Sequence, residues 1–548
     1  VEQIGTTAAG ATIKVSGYGR SNTYEGVTSI VADFGDGNDG LVVDPSVTVP
    51  LTISGGTGND TISIDANSAG NLVNGQDGDD YLSLGGRASG TLNGGNGADF
   101  LEHTGTGSAT LNGGADNDAL IGSSATDVLN GGTGNDQLSG IALTYDGGDG
   151  DDLITLSLTT DRPATFTGGT GTDILAVTLS GSNDTAALTA AGTSAVTFSL
   201  NGTDRATTGI ETFRLDGLNG TDLFTVGYLP TNTGVTDVSI NLGTGGADRV
   251  TVNGSSGADN FTLGYVTRAG RPNPEAFVDA GDYTVYIGAS VRAEGDRLVL
   301  DTGDGNDILD ASAFQATGFT PTDRIALTLI GGNGDDRLVG SPFDDVLDSG
   351  AGDDQVTGGT GLDVFIDPSG NDTLIETVTG DVGIYDNLFI VGTIAANGVD
   401  FASSVSEDLA FQFENLTLTG GSGSNTYLFG DEDGRVLVGG VQRDARPWTG
   451  IASLATLDGA DTVRVSLLGA TGARISITDS AGSDQLIVNG TSQREDLIVE
   501  VVSGRGYVRQ TAPGAAADLV TIDHSGIEQV TINALGGGDR IAVRNITV

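Results

Sequence analysis

The sequence predicts an all-β protein: an elongated parallel β-roll or β-solenoid flanked by additional β-modules. Three observations predict it: a glycine-rich nine-residue repeat, short alternating apolar tails between glycine turns, and almost no apolar spacing of the helical kind. The most helix-like stretches, TDRPATF and ASSVSEDLAFQF, are short and interrupted. With 37% hydrophobic residues beside 90 glycines, the 548-residue chain has enough aliphatic material to bury a core.

The repeat has the form G-G-x-G-x-D-x-U-x, where U is aliphatic or aromatic. Glycine at the first, second and fourth places permits backbone angles that other residues avoid, and the x-U-x tail alternates as a half-buried strand does. Strands this short cannot bury a face alone, so they must stack as a solenoid. Phrases of this form fill 55–176 and 331–366, and a partial match, DTGDGNDILD, lies at 301–310.

Two phrases make one coil of about eighteen residues, with a turn at each edge and two facing stacks of strands. In the first block one edge carries an aspartate in every coil, at steps of 20, 19, 19 and 18 residues: Asp60, Asp80, Asp99, Asp118 and Asp136. The opposite edge gains a carboxylate only at Asp127. The second block is predicted to be the chain's only clearly two-sided calcium ladder. Its two edges hold Asp336 with Asp354, and Asp345 with Asp363.

Stacked carboxylates repel one another, and this repulsion predicts a bound cation. Like charges about 4.8 Å apart, the spacing of neighbouring strands, repel by about 1 kcal/mol in water and by more where water is partly excluded. The formal net charge of -50 also attracts cations. Carboxylates and carbonyls are the ligands that Ca²⁺ prefers, whereas Mg²⁺ demands a tighter octahedron. We therefore predict multiple Ca²⁺ sites, with ligands from Asp60, Asp80, Asp99, Asp118, Asp127, Asp136, Asp152, Asp173, Asp307, Asp336, Asp345, Asp354 and Asp363.

These phrases resemble the glycine-rich nonapeptide repeats of RTX proteins, the hemolysin-type calcium-binding family of Gram-negative bacteria. The resemblance implies a parallel β-roll in which the first six residues of a phrase bind calcium through backbone carbonyls and the sixth-place aspartate, while the next three residues form the strand. It also implies secretion through a type I exporter and folding on contact with extracellular calcium.

A second, wider repeat surrounds the two dense blocks. GIETFRLDGLNGTDLFTV at 209–226 and GIEQVTINALGGGDRIAV at 526–543 share G-I-E, a strand, a glycine turn, an aspartate and another strand. Partner phrases such as VTVNGSSGADNFTL lie upstream of three copies. We predict wider coils or small β-modules with hairpin excursions. Asp222 and Asp539 are weaker calcium candidates, because aspartate beside glycine is also ordinary turn chemistry.

The predicted organisation has six parts without sharp boundaries. They are an N-terminal β-module at 1–54, a first calcium β-roll block at 55–180, degenerate β-repeat modules at 181–310, a second calcium β-roll block at 311–366, a β-module with a loop insertion at 367–460, and a C-terminal β-repeat module at 461–548.

No catalytic constellation is recognisable, and the chain is predicted not to be an enzyme. The motif H-E-x-x-H is missing, cysteine is absent, and His103 and His524 lie far apart as expected surface or strand residues. The GGTGND strings lead into neither G-K-[ST] nor a helix, which argues against a phosphate loop. The negative charge argues against a nucleic-acid partner, and the lack of a long apolar run argues against membrane insertion.

The segment GGVQRDARPWTG, at 439–450, contains the only tryptophan, Trp448, beside two arginines. An exposed Trp448 could contact a glycan or a neighbouring subunit. The alternative, which we favour, is an anchoring aromatic that covers a strand end.

These observations together predict an extracellular calcium-binding structural protein of the bacterial cell surface, a surface-layer, fibre or adhesin component rigidified by Ca²⁺. Solenoid ends without a visible cap predict self-association into fibres or sheets. The alternatives are the repeat domain of a secreted polysaccharide-modifying enzyme or toxin, and a glycan-binding module. Cell-surface polysaccharide is therefore a further candidate partner.

Overall fold

The computed structural model describes most of the chain. The described residues are 1–157, 162–269, 273–290, 294–314, 325–361, 363–366, 369–385, 388–394, 401–408, 413–430, 435–438, 441–444, 448–467, 472–491, 493–503, 505–511, 518–534 and 539–544. Nearly all their regular structure is strand, with one short 3-10 helix at Thr231–Thr233, which confirms the all-β prediction. The segment ASSVSEDLAFQF opens within a strand, Phe401–Asp408, instead of a helix, and its residues 409–412 lie outside the described part, as does part of TDRPATF. No described helix is long and apolar enough to cross a membrane.

The described residues form two compact units. One consists of Val1–Thr251 with Thr267–Asp296, and the other of Val252–Val266 with Arg297–Val548. The strand Arg249–Asn253 runs from one unit into the other.

The first unit begins with a small antiparallel sheet and continues as a solenoid. The antiparallel strands are Glu2–Thr7, Gly10–Gly17 and Arg20–Val27. The chain then alternates between two sheets of mostly parallel strands. The first sheet contains Ile30–Asp33, Leu51–Thr57, Asn71–Asp77, Gly90–Asn96, Ala109–Ala115, Val128–Thr133, Thr144–Asp149, Thr165–Thr170, Thr185–Ala190, Ala195–Leu200, Thr203–Thr208 and Leu223–Val226. The second sheet contains Gly40–Val43, Thr61–Ile64, Tyr81–Leu84, Phe100–His103, Ala119–Ser123, Gln137–Ile141, Leu153–Ser157, Ile174–Thr178, Thr212–Asp216, Asp237–Asn241, Glu275–Asp279 and Thr284–Gly288.

Equivalent residues of successive coils stack on one another, and the stacked aliphatic side chains form the core. In the first sheet Leu111 pairs with Leu92 and Leu129, and in the second sheet Leu101 pairs with Leu120. All five side chains are fully buried. The parallel register therefore places the U position of each phrase inside the roll, where burying apolar surface stabilises a strand too short to be stable alone.

The turns are shorter than the resemblance implied. In the first sheet the strand continues through the glycine pair of the repeat, as Leu51–Thr57 does through Gly55 and Gly56. Only the G-x-D segment that follows, Gly58 to Asp60, links the two sheets. The glycine pair therefore lies within the paired backbone, next to the equivalent pair of the neighbouring coil.

Hairpin excursions are inserted between stacked coils, as the wider repeat predicted. Ala195–Leu200 runs antiparallel to both of its neighbours, Thr185–Ala190 and Thr203–Thr208. A second excursion pairs Glu275–Asp279 antiparallel with Thr284–Gly288.

The second unit repeats this architecture with more interruptions. Strands of the first-sheet type are Arg297–Asp304, Ala326–Asn333, Asp345–Ala351 and Val364–Ile366. Strands of the second-sheet type are Asn260–Val266, Ile308–Asp310, Arg337–Val339, Gln355–Thr357, Thr373–Thr377, Asn415–Thr419, Ile451–Gly459, Arg474–Gly482, Asp496–Val502, Arg505–Thr511, Asp518–Ser525 and Arg540–Arg544. A nine-stranded sheet contains Asp381–Tyr385, Leu388–Ile394, Phe401–Asp408, Thr426–Phe429, Arg435–Val438, Val441–Asp444, Thr462–Ser466, Gln485–Asn489 and Gln529–Asn533.

Candidate metal centre

The sixth-place aspartates form a continuous ladder along one edge of the first roll. The backbone N–H of Asp99 donates to Oδ1 of Asp118 in the next coil at 2.8 Å, and the N–H of Asp118 donates to Oδ1 of Asp136 at 2.7 Å. The same link joins Asp39, Asp60, Asp80, Asp99, Asp118, Asp136, Asp152 and Asp173 in order. Each carboxylate is thus held in place by the coil before it.

The second block has this ladder on both edges, as predicted. On one edge the Asp336 N–H donates to Asp354 Oδ1 at 2.8 Å, and on the other the Asp345 N–H donates to Asp363 Oδ1 at 2.9 Å. Each aspartate is therefore bonded to its counterpart eighteen residues away and not to the aspartate of the adjacent phrase. Asp307 extends the first of these edges by donating its N–H to Asp336 Oδ1.

The second carboxylate oxygen is what makes the ladder a candidate metal centre. All thirteen predicted ligands are buried, with at most 5% of their surface exposed. In ten of them Oδ2 is buried and has no hydrogen-bond partner among the described residues: Asp60, Asp80, Asp99, Asp118, Asp136, Asp152, Asp173, Asp307, Asp336 and Asp354. A buried carboxylate oxygen without a partner is costly unless a cation or a proton compensates it.

Glycine at the first place of the phrase makes room for this oxygen. A Cβ atom on Gly113 would lie 2.3 Å from Asp118 Oδ2 and 2.6 Å from the carbonyl oxygen of Gly131 in the next coil. Gly94 and Gly131 have the same surroundings in their own coils. A carboxylate oxygen and a backbone carbonyl oxygen therefore surround each of these glycines, and oxygen donors of this kind suit Ca²⁺.

Burial raises the pKa of the ladder carboxyls. It raises the pKa of Asp99 and Asp118 to about 7, and that of Asp80 to about 6. The N–H from the preceding coil lowers each pKa but does not cancel the effect of burial, and the neighbouring carboxylates raise it further. Without a cation, the carboxyl groups of the ladder therefore bind protons near neutral pH.

Two predicted ligands, Asp127 and Asp345, have both carboxylate oxygens hydrogen-bonded, with Oδ2 bonded inside the residue's own turn. Asp127 Oδ2 accepts the N–H of Ser123 and Ser124 at 3.0 and 2.9 Å, and its Oδ1 accepts the Ala109 N–H. Asp345 Oδ2 likewise accepts the Ser341 N–H at 2.6 Å. Oδ2, which has no partner in most other ladder turns, is thus hydrogen-bonded in these two. The structure therefore gives Asp127 and Asp345 a role in closing the turn.

The second residue of the phrase explains the difference. In the ladder turns it is usually glycine with a positive φ, for example +127° at Gly114, which other residues rarely adopt. In G-S-S-A-T-D and G-S-P-F-D-D it is Ser123 or Ser341, which has no positive φ and directs its N–H at the carboxylate. Serine or glycine at the second place therefore distinguishes the two kinds of turn already in the sequence.

His103 contacts the same turn. Its Nδ1 lies 2.7 Å from Asp127 Oδ2, and both side chains are completely buried. His103 ends the strand Phe100–His103, as the strand interpretation expected, but it has a buried carboxylate partner that the sequence did not reveal.

Glutamates of the wider repeat end the ladders. In three rows the last aspartate N–H donates to a glutamate Oε2: Asp173 to Glu211 at 2.8 Å, Asp372 to Glu414 at 3.0 Å, and Asp484 to Glu528 at 2.7 Å. The glutamate carboxylate thus takes the place that an aspartate carboxylate has elsewhere in the ladder. The G-I-E motif therefore has a structural function, which its sequence alone did not indicate.

Ladder residues also lie outside the dense blocks, and they include the two weaker candidates, Asp222 and Asp539, beside six aspartates that were not predicted. Asp222 accepts the Asp184 N–H on Oδ1 and has a buried Oδ2 without a partner among the described residues, whereas Asp539 Oδ1 accepts the Glu495 N–H. The further members are Asp184, Asp248, Asp296, Asp372, Asp461 and Asp484. Each of them follows a turn and precedes an alternating apolar strand. This sequence pattern could have identified them.

Comparison with known proteins agrees with this geometry. Residues 52–63, 103–138 and 330–365 match the model of the RTX calcium-binding nonapeptide repeat, in four copies. No curated protein matches the chain. The matched stretches contain both kinds of turn, those with a free Oδ2 and those closed by serine. The chain therefore contains RTX calcium-binding nonapeptide repeats, in four copies, and the described residues of these stretches lie in its β-roll.

Proposed function

We propose that this chain is a secreted structural protein of the bacterial cell surface, a surface-layer, fibre or adhesin component without catalytic activity, which several calcium ions rigidify. The observation that supports it most directly is the row of buried Oδ2 atoms without hydrogen-bond partners among the described residues. Such a row runs through coil after coil, so it serves the whole roll and not one reaction centre.

The ligands that we propose are the Oδ2 atom of a ladder aspartate and the first-place glycine carbonyl of the next coil, for example Asp118 with Gly131. Bound calcium would supply the positive charge that this buried row lacks. Because the ligands of one site come from two coils, they meet only in the folded roll. Calcium therefore stabilises the folded state by mass action.

Extracellular location follows from the same argument. Extracellular calcium modules typically need dissociation constants of only about 10⁻⁴ to 10⁻³ M. At cytosolic calcium concentrations such sites stay unfilled and the ladder keeps its repulsion. We therefore expect the chain to reach its rigid form after export.

An apolar groove beside the N-terminal sheet supports self-association. The groove has a volume of about 1250 Å³ and is lined by the antiparallel sheet and the first coil, including Tyr24, Val31 and Val42. Val31 and Val42 are 75% and 66% exposed. Adjacent exposed apolar side chains favour a protein contact, so we propose that another copy of the chain covers them.

Trp448 supports the anchoring interpretation over direct glycan contact. Only 2% of its surface is exposed, so its ring is not available to stack on a sugar. The side chain of Arg443, and Arg446 and Pro447 as a whole, lie outside the described residues. We therefore propose that a cell-surface polysaccharide partner binds elsewhere than on this ring.

The test is to remove and restore calcium on the full chain. In excess chelator we expect the far-ultraviolet β signal to fall and any assemblies to dissolve, and millimolar calcium should restore both. Electron microscopy should show filaments or sheets only with calcium. An unchanged spectrum in chelator contradicts the calcium role, while a calcium-dependent spectrum without assemblies contradicts only the self-association. Turnover of cell-surface polysaccharides would favour the enzyme alternative.

A further inference from the structure

A third carboxylate joins the ladder at one place in the second unit. One oxygen each of Asp461, Asp479 and Asp484 lie within 4.8 Å of one another. None of the three falls in a stretch that matches the nonapeptide repeat, and none was predicted as a ligand.

The fold brings these residues together from two adjacent coils. Asp461 and Asp484 are ladder residues, since the Asp461 N–H donates to Asp484 Oδ1 at 2.7 Å. Asp479 opens the phrase D-S-A-G-S-D and so occupies the first place, where the dense turns have glycine. Parallel pairing of Ile451–Gly459 with Arg474–Gly482 sets Asp479 opposite Thr456, whose Oγ1 donates to Asp479 Oδ1 at 2.9 Å.

Two of the carboxylates leave a buried oxygen free. Asp461 Oδ1 accepts the Asn425 N–H and Asp484 Oδ1 accepts the Asp461 N–H, but their Oδ2 atoms have no hydrogen-bond partner among the described residues. Both residues are 1% exposed. Asp479 is only half-buried, which leaves the cluster a side that water and ions can reach.

Glycine again keeps this space open. A Cβ atom on Gly482 would lie 2.9 Å from both oxygens of Asp484 and 1.7 Å from the carbonyl oxygen of Gly459. A side chain at the fourth place of the phrase would therefore displace the Asp484 carboxylate or the backbone at Gly459.

The charges of the cluster are not compensated by described protein groups. No basic side chain in the described ranges forms an ion pair with Asp461, Asp479 or Asp484. Three carboxylates this close, two of them buried, need either protons or a cation.

We propose that Asp461, Asp479 and Asp484 form a divalent-cation site, suited to Ca²⁺, that ties together two coils outside the nonapeptide blocks. Its donor set differs from that of the ladder turns, because three carboxylates converge on one place. More anionic ligands bind Ca²⁺ more tightly, so this site should fill at a lower calcium concentration than the ladder.

The experiment is a calcium titration of the full chain followed by hydrogen exchange and mass spectrometry. In the unmodified chain, calcium should slow exchange in peptides from 456–489 at a lower concentration than in peptides from 55–138. In Asp479→Asn the calcium midpoint in 456–489 should rise by at least about tenfold, while 55–138 keeps its midpoint. The amide oxygen of asparagine can still accept from Thr456, so the packing is kept.

Two control variants separate charge at the site from other effects. Asp458→Asn removes an exposed charge from the strand Ile451–Gly459, which also holds Thr456. This variant should leave the calcium midpoint of 456–489 unchanged. Thr456→Val removes the hydrogen bond to Asp479 but keeps all three carboxylates, so it should also behave as the unmodified chain. Should Asp479→Asn fail to fold by circular dichroism, Asp484→Asn replaces it with the same expected loss.

The proposal is overturned if 456–489 shows no calcium response in the unmodified chain, if Asp479→Asn keeps the original midpoint, or if either control shifts it equally. A response in 456–489 without one in 55–138 would refute ladder binding and leave this site standing. The experiment therefore distinguishes failure of this three-aspartate site from failure of calcium binding by the ladder.

Discussion

Replacing Asp118 by asparagine should stabilise the metal-free protein and reduce the stabilisation that calcium provides. Asp118 Oδ1 accepts the Asp99 N–H at 2.8 Å, and the asparagine oxygen can keep this bond. The amide nitrogen then takes the place of Oδ2, beside the carbonyl oxygen of Gly131, to which it can donate. The buried charge is lost, and with it one calcium ligand.

The pKa of Asp118 sets the size of the gain in the metal-free protein. Burial raises it from 3.8 to about 7, so the carboxyl contributes its full stability below pH 3.8 and this stability is lost as pH rises through 7. At about 1.4 kcal/mol per pKa unit, the loss is at most about 4 kcal/mol, and less because the neighbouring carboxyls titrate together. At pH 8 in chelator, we expect Asp118→Asn to raise the free energy of unfolding by about 1–3 kcal/mol.

Calcium offsets this gain. At a calcium concentration about ten times the dissociation constant, one site contributes about 1.4 kcal/mol, and the variant lacks this contribution. The calcium-induced gain in unfolding free energy should therefore be smaller by about this amount in the variant, which urea unfolding with and without calcium measures.

Asp127→Asn is the matched control one turn away. Asp127 has no free oxygen, because Ser123 and Ser124 donate to Oδ2 and Ala109 donates to Oδ1. In either orientation of the asparagine side chain, its NH₂ group would face a backbone N–H that can only donate. We therefore expect the free energy of unfolding to fall by about 1–3 kcal/mol, equally with and without calcium. Equal calcium responses of the Asp118 and Asp127 variants would refute the assignment of Oδ2 as the calcium ligand.

Three further predictions concern the same ladder. In chelator, thermal stability should fall as pH rises from 4 to 8, because the folded-state pKa values of about 7 at Asp99 and Asp118 exceed 3.8; a rise in stability with pH contradicts this. Gly113→Ala, whose Cβ would lie 2.3 Å from Asp118 Oδ2, should cost about 1–3 kcal/mol and one bound calcium, counted by equilibrium dialysis; an unchanged count speaks against the glycine cradle. Glu211→Ala should leave the Asp173 N–H unpaired and cost about 1–3 kcal/mol in urea unfolding, whereas Glu211→Gln should cost much less; equal losses in both variants would exclude the hydrogen bond as the cause.

The repeat predicted the coil geometry well because its signals are local. Glycine at fixed places and the alternation of the x-U-x tail act within one phrase, and they correctly placed Leu101 and Leu120 in the core. The spacing of aspartates likewise assigned Asp336 and Asp345 to opposite edges, and the hydrogen bonds to Asp354 and Asp363 confirm the assignment.

Outside the dense blocks the sequence was less informative because coil lengths vary. Asp184 and Asp222 are 38 residues apart, so no fixed period aligns them, yet they are hydrogen-bonded neighbours. Glu211 and Asp173 are related in the same way. Hairpins such as Ala195–Leu200 take up the intervening residues without changing the stacking of the coils.

The sequence by itself determined that this chain is a β-roll with rows of aspartate on its edges, because backbone freedom at glycine and side-chain alternation are properties of short segments. Only the tertiary structure decided which carboxylate oxygens remain free. That depends on where the N–H groups point, both those of the same turn, three or four residues away, and those of the preceding coil, which are distant along the chain. For this reason Asp118 and Asp127, alike as sixth-place aspartates, differ in the fold: one keeps a buried free oxygen for a cation, and the other closes its own turn.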